Sequence, residues 1–172
     1  MAPNHSATGD PPLIGSCINR ELYFMAKKEL FKNFFLGNLI KLFNAFPVNR
    51  AIIDKEAMGR AANVLKSGYG LTMFPEGTRS KTGELGEAKP GIGILARQSL
   101  TPILPVYAEN TKGTLKLFFS KKRMTVHIGE LIAADWIAGI EDGNDGYRRI
   151  ASEVLNRIRS LKENSTPPKQ LA

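Results

Sequence analysis

The spacing of apolar residues along this chain predicts a series of amphipathic helices. The longest apolar stretch, Lys28–Phe46, carries large aliphatic and aromatic residues at intervals of three and four, which is typical of one face of a helix. The same spacing predicts a helix over Asp54–Ser67, closed by Gly68, and another over Tyr147–Lys162. Shorter helices are predicted over 11–20, where two prolines suit the first turn, and over 91–100.

Short apolar runs between these helices predict β-strands. The predicted strands are Leu22–Ala26, Leu71–Phe74, Ile103–Ala108, and a hairpin made of Leu115–Phe119 and Met124–Ile128. Because strands and helices alternate, we expect an α/β fold, with a mixed, largely parallel sheet and helices on both of its faces. Ligands of such sheets usually bind beyond the carboxyl ends of the strands.

Composition and charge indicate a globular protein with an anionic partner. The chain has 172 residues, enough for one domain with a substantial core, and a formal net charge of +8. This excess favours a phospholipid surface, a nucleic acid or an acidic carrier protein, although no long basic tract typical of nucleic-acid-binding arms is present. No apolar run reaches the roughly 18 residues of a membrane span. Because Cys17 is the one cysteine, the chain cannot form an intrachain disulfide. With one cysteine and two histidines, no metal cluster is expected.

Near its start the chain places an aspartate five positions after a histidine, in Asn4-His5-Ser6-Ala7-Thr8-Gly9-Asp10. One loop-to-helix turn can fold the Asp10 carboxylate onto one ring nitrogen of His5, which leaves the other nitrogen free to accept a proton. The alternative is that His5 is a surface residue and Asp10, which precedes two prolines, caps a helix. Spacing alone favours this second interpretation.

A second string, Phe74-Pro75-Glu76-Gly77-Thr78-Arg79-Ser80, lies at the end of a predicted strand. Gly77 lets the backbone approach a ligand, Thr78 offers a hydroxyl, and Arg79 offers a planar guanidinium suited to phosphate oxygens. An ordinary turn with an exposed arginine would explain any one of these residues, but it explains their combination poorly. The string therefore predicts an anion site.

Together the two strings resemble the glycerolipid acyltransferases that acylate lysophosphatidic acid, which carry Asn-His-x-x-x-x-Asp and Phe-Pro-Glu-Gly-Thr-Arg in this order. Two weaker blocks are also similar, Phe46-Pro47-Val48-Asn49-Arg50 and Ile103-Leu104-Pro105-Val106. The resemblance covers about His5 to Glu130 and makes catalysis by His5 the favoured interpretation. It implies a fold like that of glycerol-3-phosphate acyltransferase.

The resemblance implies a role for each matching position. His5 would be the general base that takes the proton of a glycerol hydroxyl, and Asp10 would orient and stabilise it, so that the hydroxyl attacks the acyl thioester directly. The phosphate and glycerol of the acceptor would be bound by Lys27, Arg50, Glu76, Gly77, Thr78 and Arg79. No metal and no bound cofactor is implied, because acyl-CoA or acyl-ACP (acyl carrier protein) is a co-substrate.

The implied reaction moves a fatty acyl group to the sn-2 hydroxyl of 1-acylglycerol-3-phosphate and gives phosphatidic acid for phospholipid biosynthesis. The expected partners are lysophosphatidic acid, the acyl donor and an anionic membrane surface, and not nucleic acid. The expected location is the cytoplasmic face of the membrane, as a peripheral or monotopic protein. Two alternatives stay open: another lysophospholipid or glycerol 3-phosphate as acceptor, and a catalytically degenerate basic module that binds membranes.

The start of the chain departs from the family pattern. Family members normally enter the Asn-His block from a buried strand, and here only Met1-Ala2-Pro3 precede it. We therefore expect one acyltransferase domain over 1–163 that lacks this strand, with His5 on a fraying terminus and weak activity. The polar segment 164–172 is expected to be a disordered tail.

Three uses are open to the Phe-rich segment Lys28–Phe46: core, acyl-chain pocket and membrane-facing surface. Core is the default for a segment of this kind. Exposing each methylene of an acyl chain to water costs about 0.8 kcal/mol, whereas sliding the chain from a bilayer into an apolar groove is nearly neutral. This difference favours catalysis at a membrane surface.

Overall fold

Strands and helices alternate in the computed structural model, which describes residues 1–50, 52, 54–111 and 123–165. The strands are β1 (Ala2–Pro3), β2 (Leu22–Lys27), β3 (Ala45–Val48), β4 (Gly70–Thr72), β5 (Pro105–Glu109) and β6 (Thr125–Ile128). The helices are α1 (Asp10–Ser16), a 3₁₀ helix (Lys28–Lys32), α2 (Phe34–Leu42), α3 (Lys55–Lys66), α4 (Gly91–Ser99), α5 (Ala134–Ala138) and α6 (Asn144–Ser165). The predicted α/β class is confirmed.

The strands form two groups that join at β1 and β4. In one group β2 lies between β3 and β4, all parallel, and in the other β5 lies between parallel β1 and antiparallel β6. The backbone nitrogen of Met1 donates to the Leu71 carbonyl at 2.6 Å, and that of Met73 donates to the Met1 carbonyl at 3.0 Å. This is the bonding of a parallel ladder. The strands therefore make one mixed, largely parallel sheet in the order β3-β2-β4-β1-β5-β6.

Helices cover both faces of this sheet, as predicted. Tyr23 and Met25 of β2 pack into a cluster with α3, whereas the intervening Phe24 faces α1, where a Cβ on Gly15 would lie 3.4 Å from the Phe24 ring. A second cluster fills the space between β5, α4 and α6, and its buried helical members include Ile92, Ala96, Ile150, Val154 and Ile158. Both clusters pack against strands whose carboxyl ends lie at the candidate site.

The expectation that the sheet lacks a strand before His5 is wrong, because Ala2 and Pro3 form β1. Ala2 pairs with Pro105 and is fully buried. The side chain of Asn4 continues the ladder: its Nδ2 donates to the Ala108 carbonyl at 3.1 Å, and its Oδ1 accepts from the Ala108 nitrogen at 2.7 Å. His5 is consequently buried and does not lie on a fraying terminus.

The segment 28–46 is not one helix. A 3₁₀ turn precedes α2, whose N-terminus is capped by the Asn33 side chain, which accepts from the Leu36 nitrogen at 2.9 Å. After α2, Asn44 adopts a left-handed conformation with φ of 56°, and the chain reverses into β3 beside β2. The default use as core is also wrong for α2, where only Gly37 is buried.

Smaller differences concern the ends of elements. Helix α1 ends at Ser16, four residues before the predicted end, and α5 is too short for helical spacing to reveal it. Helix α6 runs through Ser165, past the predicted domain end at 163. The predicted strand Leu115–Phe119 and residues 166–172 of the predicted tail lie outside the described residues.

Within the described part of the chain, no helix combines the length and apolar character that crossing a membrane requires.

Candidate active site

His5 lies in the loop between β1 and α1, and its ring faces Asp10. The Nδ1 atom of His5 is 2.9 Å from Asp10 Oδ2, and both side chains are buried. The same oxygen accepts the backbone N–H groups of Ser6 at 2.7 Å and Ala7 at 2.8 Å. Because Gly9 occupies the N-cap position of α1, the alternative in which Asp10 caps the helix and His5 is a surface residue is wrong.

The environment of Asp10 keeps its carboxylate ionised. Burial raises the pKa of Asp10, but hydrogen bonds from the His5 side chain, the Ala7 backbone, the Thr111 hydroxyl and the Ser6 backbone outweigh it, and the pKa lies below its ordinary value. A carboxylate beside Nδ1 favours the tautomer that carries its proton on Nδ1. Nε2, which bonds no residue that the structure describes, is then the nitrogen that can accept a proton.

The lowered pKa of Asp10 predicts a dependence of stability on acid pH. The ionised carboxylate contributes stability that is present above its unfolded pKa of about 4 and is lost as pH falls through the lower folded value. The free energy of unfolding should therefore fall more steeply from about pH 4 to pH 2 in the wild type than in Asp10→Asn. Denaturant titrations followed by circular dichroism measure both slopes. Asp135→Asn, which alters an exposed carboxyl, should keep the wild-type slope, and equal slopes for all three proteins would contradict the expectation.

The buried Glu76 carboxylate joins the two sequence motifs. Its Oε1 accepts from the His5 backbone nitrogen at 3.0 Å, and its Oε2 accepts from the Gly86 nitrogen at 2.8 Å. The carbonyl of the same residue, His5, accepts from the Ser80 nitrogen at 2.8 Å. The backbone of His5 is thus fixed by the loop that carries the second motif.

Arg50 and Arg79 lie together beside the glycine turn. Arg50 donates to the Gly77 carbonyl at 3.1 Å, and Arg79 donates to the Thr8 hydroxyl at 2.7 Å, in the loop that follows His5. Burial and then the like charge of Arg79 lower the pKa of Arg50, and Glu29 opposes them in part. The two guanidinium groups are close enough for the charge of Arg79 to act on Arg50, and together they form a region that favours a multiply charged anion.

The remaining predicted acceptor residues border the same region. Lys27, at the carboxyl end of β2, has its Nζ 3.7 Å from Glu29, the carboxylate that also acts on Arg50. Gly77 has a φ of 69°, which favours glycine, and Thr78 is exposed on the turn that Gly77 makes. The structure therefore places these cations near the carboxyl ends of the strands, while the buried Glu76 bonds backbone N–H groups.

A comparison with known proteins decides the family. The sequence model described as Acyltransferase matches residues 1–109. The chain belongs to the acyltransferase family. It is 31% identical over 147 residues to the 1-acyl-sn-glycerol-3-phosphate acyltransferase of Streptococcus pneumoniae, which covers 85% of this chain and 53% of the relative. It is 32% identical over 131 residues to the Bacillus subtilis enzyme of the same name, with 76% and 64% covered.

A solved structure supports the same family. This member of the family is similar to the crystal structure of the 1-acyl-sn-glycerophosphate (LPA) acyltransferase PlsC from Thermotoga maritima, with a TM-score of 0.70 and 27% identity. The match covers 98% of this chain and 67% of that one. The chain thus spans about half to two thirds of the length of the relatives it matches.

Three residues that hold the His5 loop were not identified as such from the sequence. The Phe74 ring stacks on the His5 ring, with centroids 3.9 Å apart and planes inclined by 21°. Asn4 pairs with β5, and the buried Thr111 hydroxyl is 2.7 Å from Ser6 Oγ. Asn4 and Phe74 lie inside the two motifs, which was a usable signal. Thr111 is about a hundred positions away and belongs to no motif, so nothing in the sequence indicated it.

The candidate site places a group that can accept a proton beside a cationic loop. The imidazole of His5 is oriented by a carboxylate on one side and lies beside a loop that bears two guanidinium groups. Ser6, the hydroxyl nearest to His5 in sequence, is bonded to Thr111 rather than to the imidazole. Among the residues described, no group of three or more His, Cys, Asp or Glu could hold a metal ion.

Proposed function

We propose that this acyltransferase moves a fatty acyl group from acyl-CoA or acyl-ACP to the sn-2 hydroxyl of 1-acylglycerol-3-phosphate, and so forms phosphatidic acid in phospholipid biosynthesis. The observation that carries the proposal is the buried His5–Asp10 pair, bonded through Glu76 and Ser80 to the loop that bears Arg79. The names of the relatives support the choice of acceptor.

In the proposed reaction the acceptor attacks the thioester without an acyl-enzyme. Nε2 of His5 takes the hydroxyl proton while the hydroxyl oxygen bonds to the thioester carbon. The carbon–sulfur bond then breaks, the acyl ester is formed, and the departing thiolate recovers the proton from the imidazolium. Asp10 stabilises that imidazolium across the 2.9 Å contact. A positioned base contributes about 10²–10⁴-fold to such a reaction, and alignment of hydroxyl and thioester supplies a further part.

The acceptor phosphate is proposed to lie between Arg50 and Arg79, with Lys27 at the margin and the Gly77–Thr78 turn against the glycerol. The lowered pKa of Arg50 supports this arrangement, because a bound dianion would relieve the like-charge repulsion behind part of the shift. For Glu76 we propose a positioning role in place of contact with the acceptor, since both of its oxygens accept backbone N–H groups.

An anionic membrane surface is the proposed partner, at the cytoplasmic face, and nucleic acid is not. The net charge of +8 suits such a surface, and an acceptor with a long acyl chain is found in bilayers rather than in water. The acyl donor would approach from the aqueous side.

Incubation of the protein with vesicles that contain lysophosphatidate tests the proposed function. Acyl-CoA and acyl-ACP are supplied separately, and phosphatidate is quantified by mass spectrometry, with lysophosphatidylcholine and glycerol 3-phosphate as competing acceptors. Preferential formation of phosphatidate supports the proposal. Preferential acylation of another acceptor supports the related alternative, and vesicle binding without transfer to any acceptor supports a degenerate binding module.

A further inference from the structure

Large apolar side chains are exposed along α2 and its flanks. Phe34 is 74% exposed, Phe35 is 83% exposed and Leu42 is 81% exposed. We call the exposed apolar residues of this segment the α2 face, and they are Leu30, Phe34, Phe35, Leu36, Leu39, Leu42 and Phe43. A contiguous apolar surface of this kind marks an interaction site, because single exposed residues are common but clusters are not.

The α2 face is not needed to complete the core. The two buried clusters draw their members from the sheet, from α3, α4, α5 and α6, and from loops beside them, and α2 contributes to neither. Its one buried residue is Gly37, where a Cβ would lie 2.9 Å from the Phe31 carbonyl oxygen, so the helix packs by its backbone and turns its large side chains outward. The α2 face is therefore available to bind a partner.

The charge around the α2 face selects the kind of partner. Exposed lysines border it, namely Lys27, Lys28, Lys32 and Lys41, and Glu29 is the one acidic residue from 27 to 43. An apolar face with a basic border fits an anionic bilayer, since the rings enter the interface while the ammonium groups meet lipid phosphates. A second copy of this chain would instead bring an equally basic border against the first.

The α2 face adjoins the acceptor site. The 3₁₀ helix that carries Leu30 starts directly after Lys27, at the carboxyl edge of the sheet. Glu29 in that helix is paired with Lys27 and acts on the pKa of Arg50. A bilayer that touches the face would therefore hold its headgroups at the level of the cationic region.

We propose that the α2 face and its lysines form the surface by which this protein docks on an anionic bilayer, and that docking presents lipid headgroups to Arg50 and Arg79. This orientation rests on the proposed function, because it assigns to the cationic region an acceptor whose acyl chain stays in the bilayer. The outer strand β6 lies at the opposite side of the sheet from β3, the strand that follows α2, and in this orientation it faces away from the membrane.

Vesicle flotation of the full chain tests the docking surface. The double variant Phe34→Ser/Phe35→Ser should bind vesicles of phosphatidylcholine and phosphatidylglycerol at least about tenfold more weakly than the wild type. Lys32→Gln/Lys41→Gln should lose affinity for these vesicles with a reduced dependence on salt. The control Ile128→Ser/Leu131→Ser removes two exposed apolar residues, one at the end of β6 and one after it, and should stay within about twofold of the wild type.

Three outcomes separate the docking proposal from the proposed function. Weaker binding of the Phe34/Phe35 variant, with unchanged transfer to a short-chain lysophosphatidate dissolved as monomers, supports docking through the α2 face. Weaker binding without transfer by any protein leaves docking supported and overturns the proposed function. Wild-type vesicle binding by the Phe34/Phe35 variant overturns docking, and loss of a wild-type dimer in sedimentation would then assign the face to a second copy.

Discussion

Replacement of His5 by glutamine should lower kcat for acyl transfer to lysophosphatidate by about 10²–10⁴-fold. Glutamine can still donate a hydrogen bond to Asp10, but it cannot accept the hydroxyl proton that Nε2 is proposed to take. Because glutamine keeps the bond to Asp10, the fold should be retained, and vesicle binding, which is proposed to depend on the α2 face, should change little. Steady-state kinetics with phosphatidate as the measured product give the effect.

Two further variants show whether the loss belongs to the imidazole. Asp10→Asn should also lower kcat, because its amide no longer stabilises the imidazolium or fixes the Nδ1–H tautomer. The kcat of Ser6→Ala should stay within about fivefold of the wild-type value, because loss of one neutral hydrogen bond costs about 1 kcal/mol. If Ser6→Ala were as damaging as His5→Gln, a serine nucleophile would replace direct attack by the acceptor.

Replacement of Arg79 by methionine should raise KM for lysophosphatidate by about 10- to 100-fold, because a charged hydrogen bond to phosphate contributes roughly 1.5–3 kcal/mol. Methionine keeps an apolar stem and removes the guanidinium. Transfer to monoacylglycerol, which lacks the phosphate, should change much less. The comparison of KM values for the two acceptors measures the contribution of the phosphate contact.

Arg50→Met and a distant control complete that test. The double variant Arg50→Met/Arg79→Met should lose less than the product of the single losses, because both guanidinium groups are proposed to hold one phosphate. Arg149→Met changes an exposed cation on α6 and should leave both KM values unchanged. Equal effects of Arg79→Met on the two acceptors would contradict a phosphate site at Arg79.

Local sequence signals predicted the helices whose ends are fixed by neighbouring residues. The Asp54 side chain accepts from the Ala57 nitrogen at 3.0 Å and begins α3, and Gly68, with φ of 83°, follows its end. Helical spacing could not show that Lys28–Phe46 contains a 3₁₀ helix, α2 and the start of β3. The turn between α2 and β3 depends on the left-handed conformation of one residue, Asn44, which leaves no trace in the spacing of apolar residues. Periodicity also cannot tell a buried apolar face from an exposed one, which is why α2 was first assigned to the core.

The two halves of the candidate site differ in how far they could be predicted. The His5–Asp10 contact spans five positions, and a physical argument from spacing described it, although only the resemblance to a family favoured it. The bonds from Glu76 to His5 and Gly86 depend on the meeting of two distant loops, which residue spacing does not encode. The strand before His5 was missed because two residues are too few for any pattern.

Single-turnover transfer from a labelled acyl-CoA tests the proposed use of His5. The wild type and His5→Gln are each mixed with the donor in the presence and absence of lysophosphatidate, and label is followed in phosphatidate and on the protein. We expect label in phosphatidate with the wild type and acceptor, at least about 10²-fold less with His5→Gln, and none on the protein. Labelled phosphatidate formed by His5→Gln at the wild-type rate would contradict the assignment of His5 as the base.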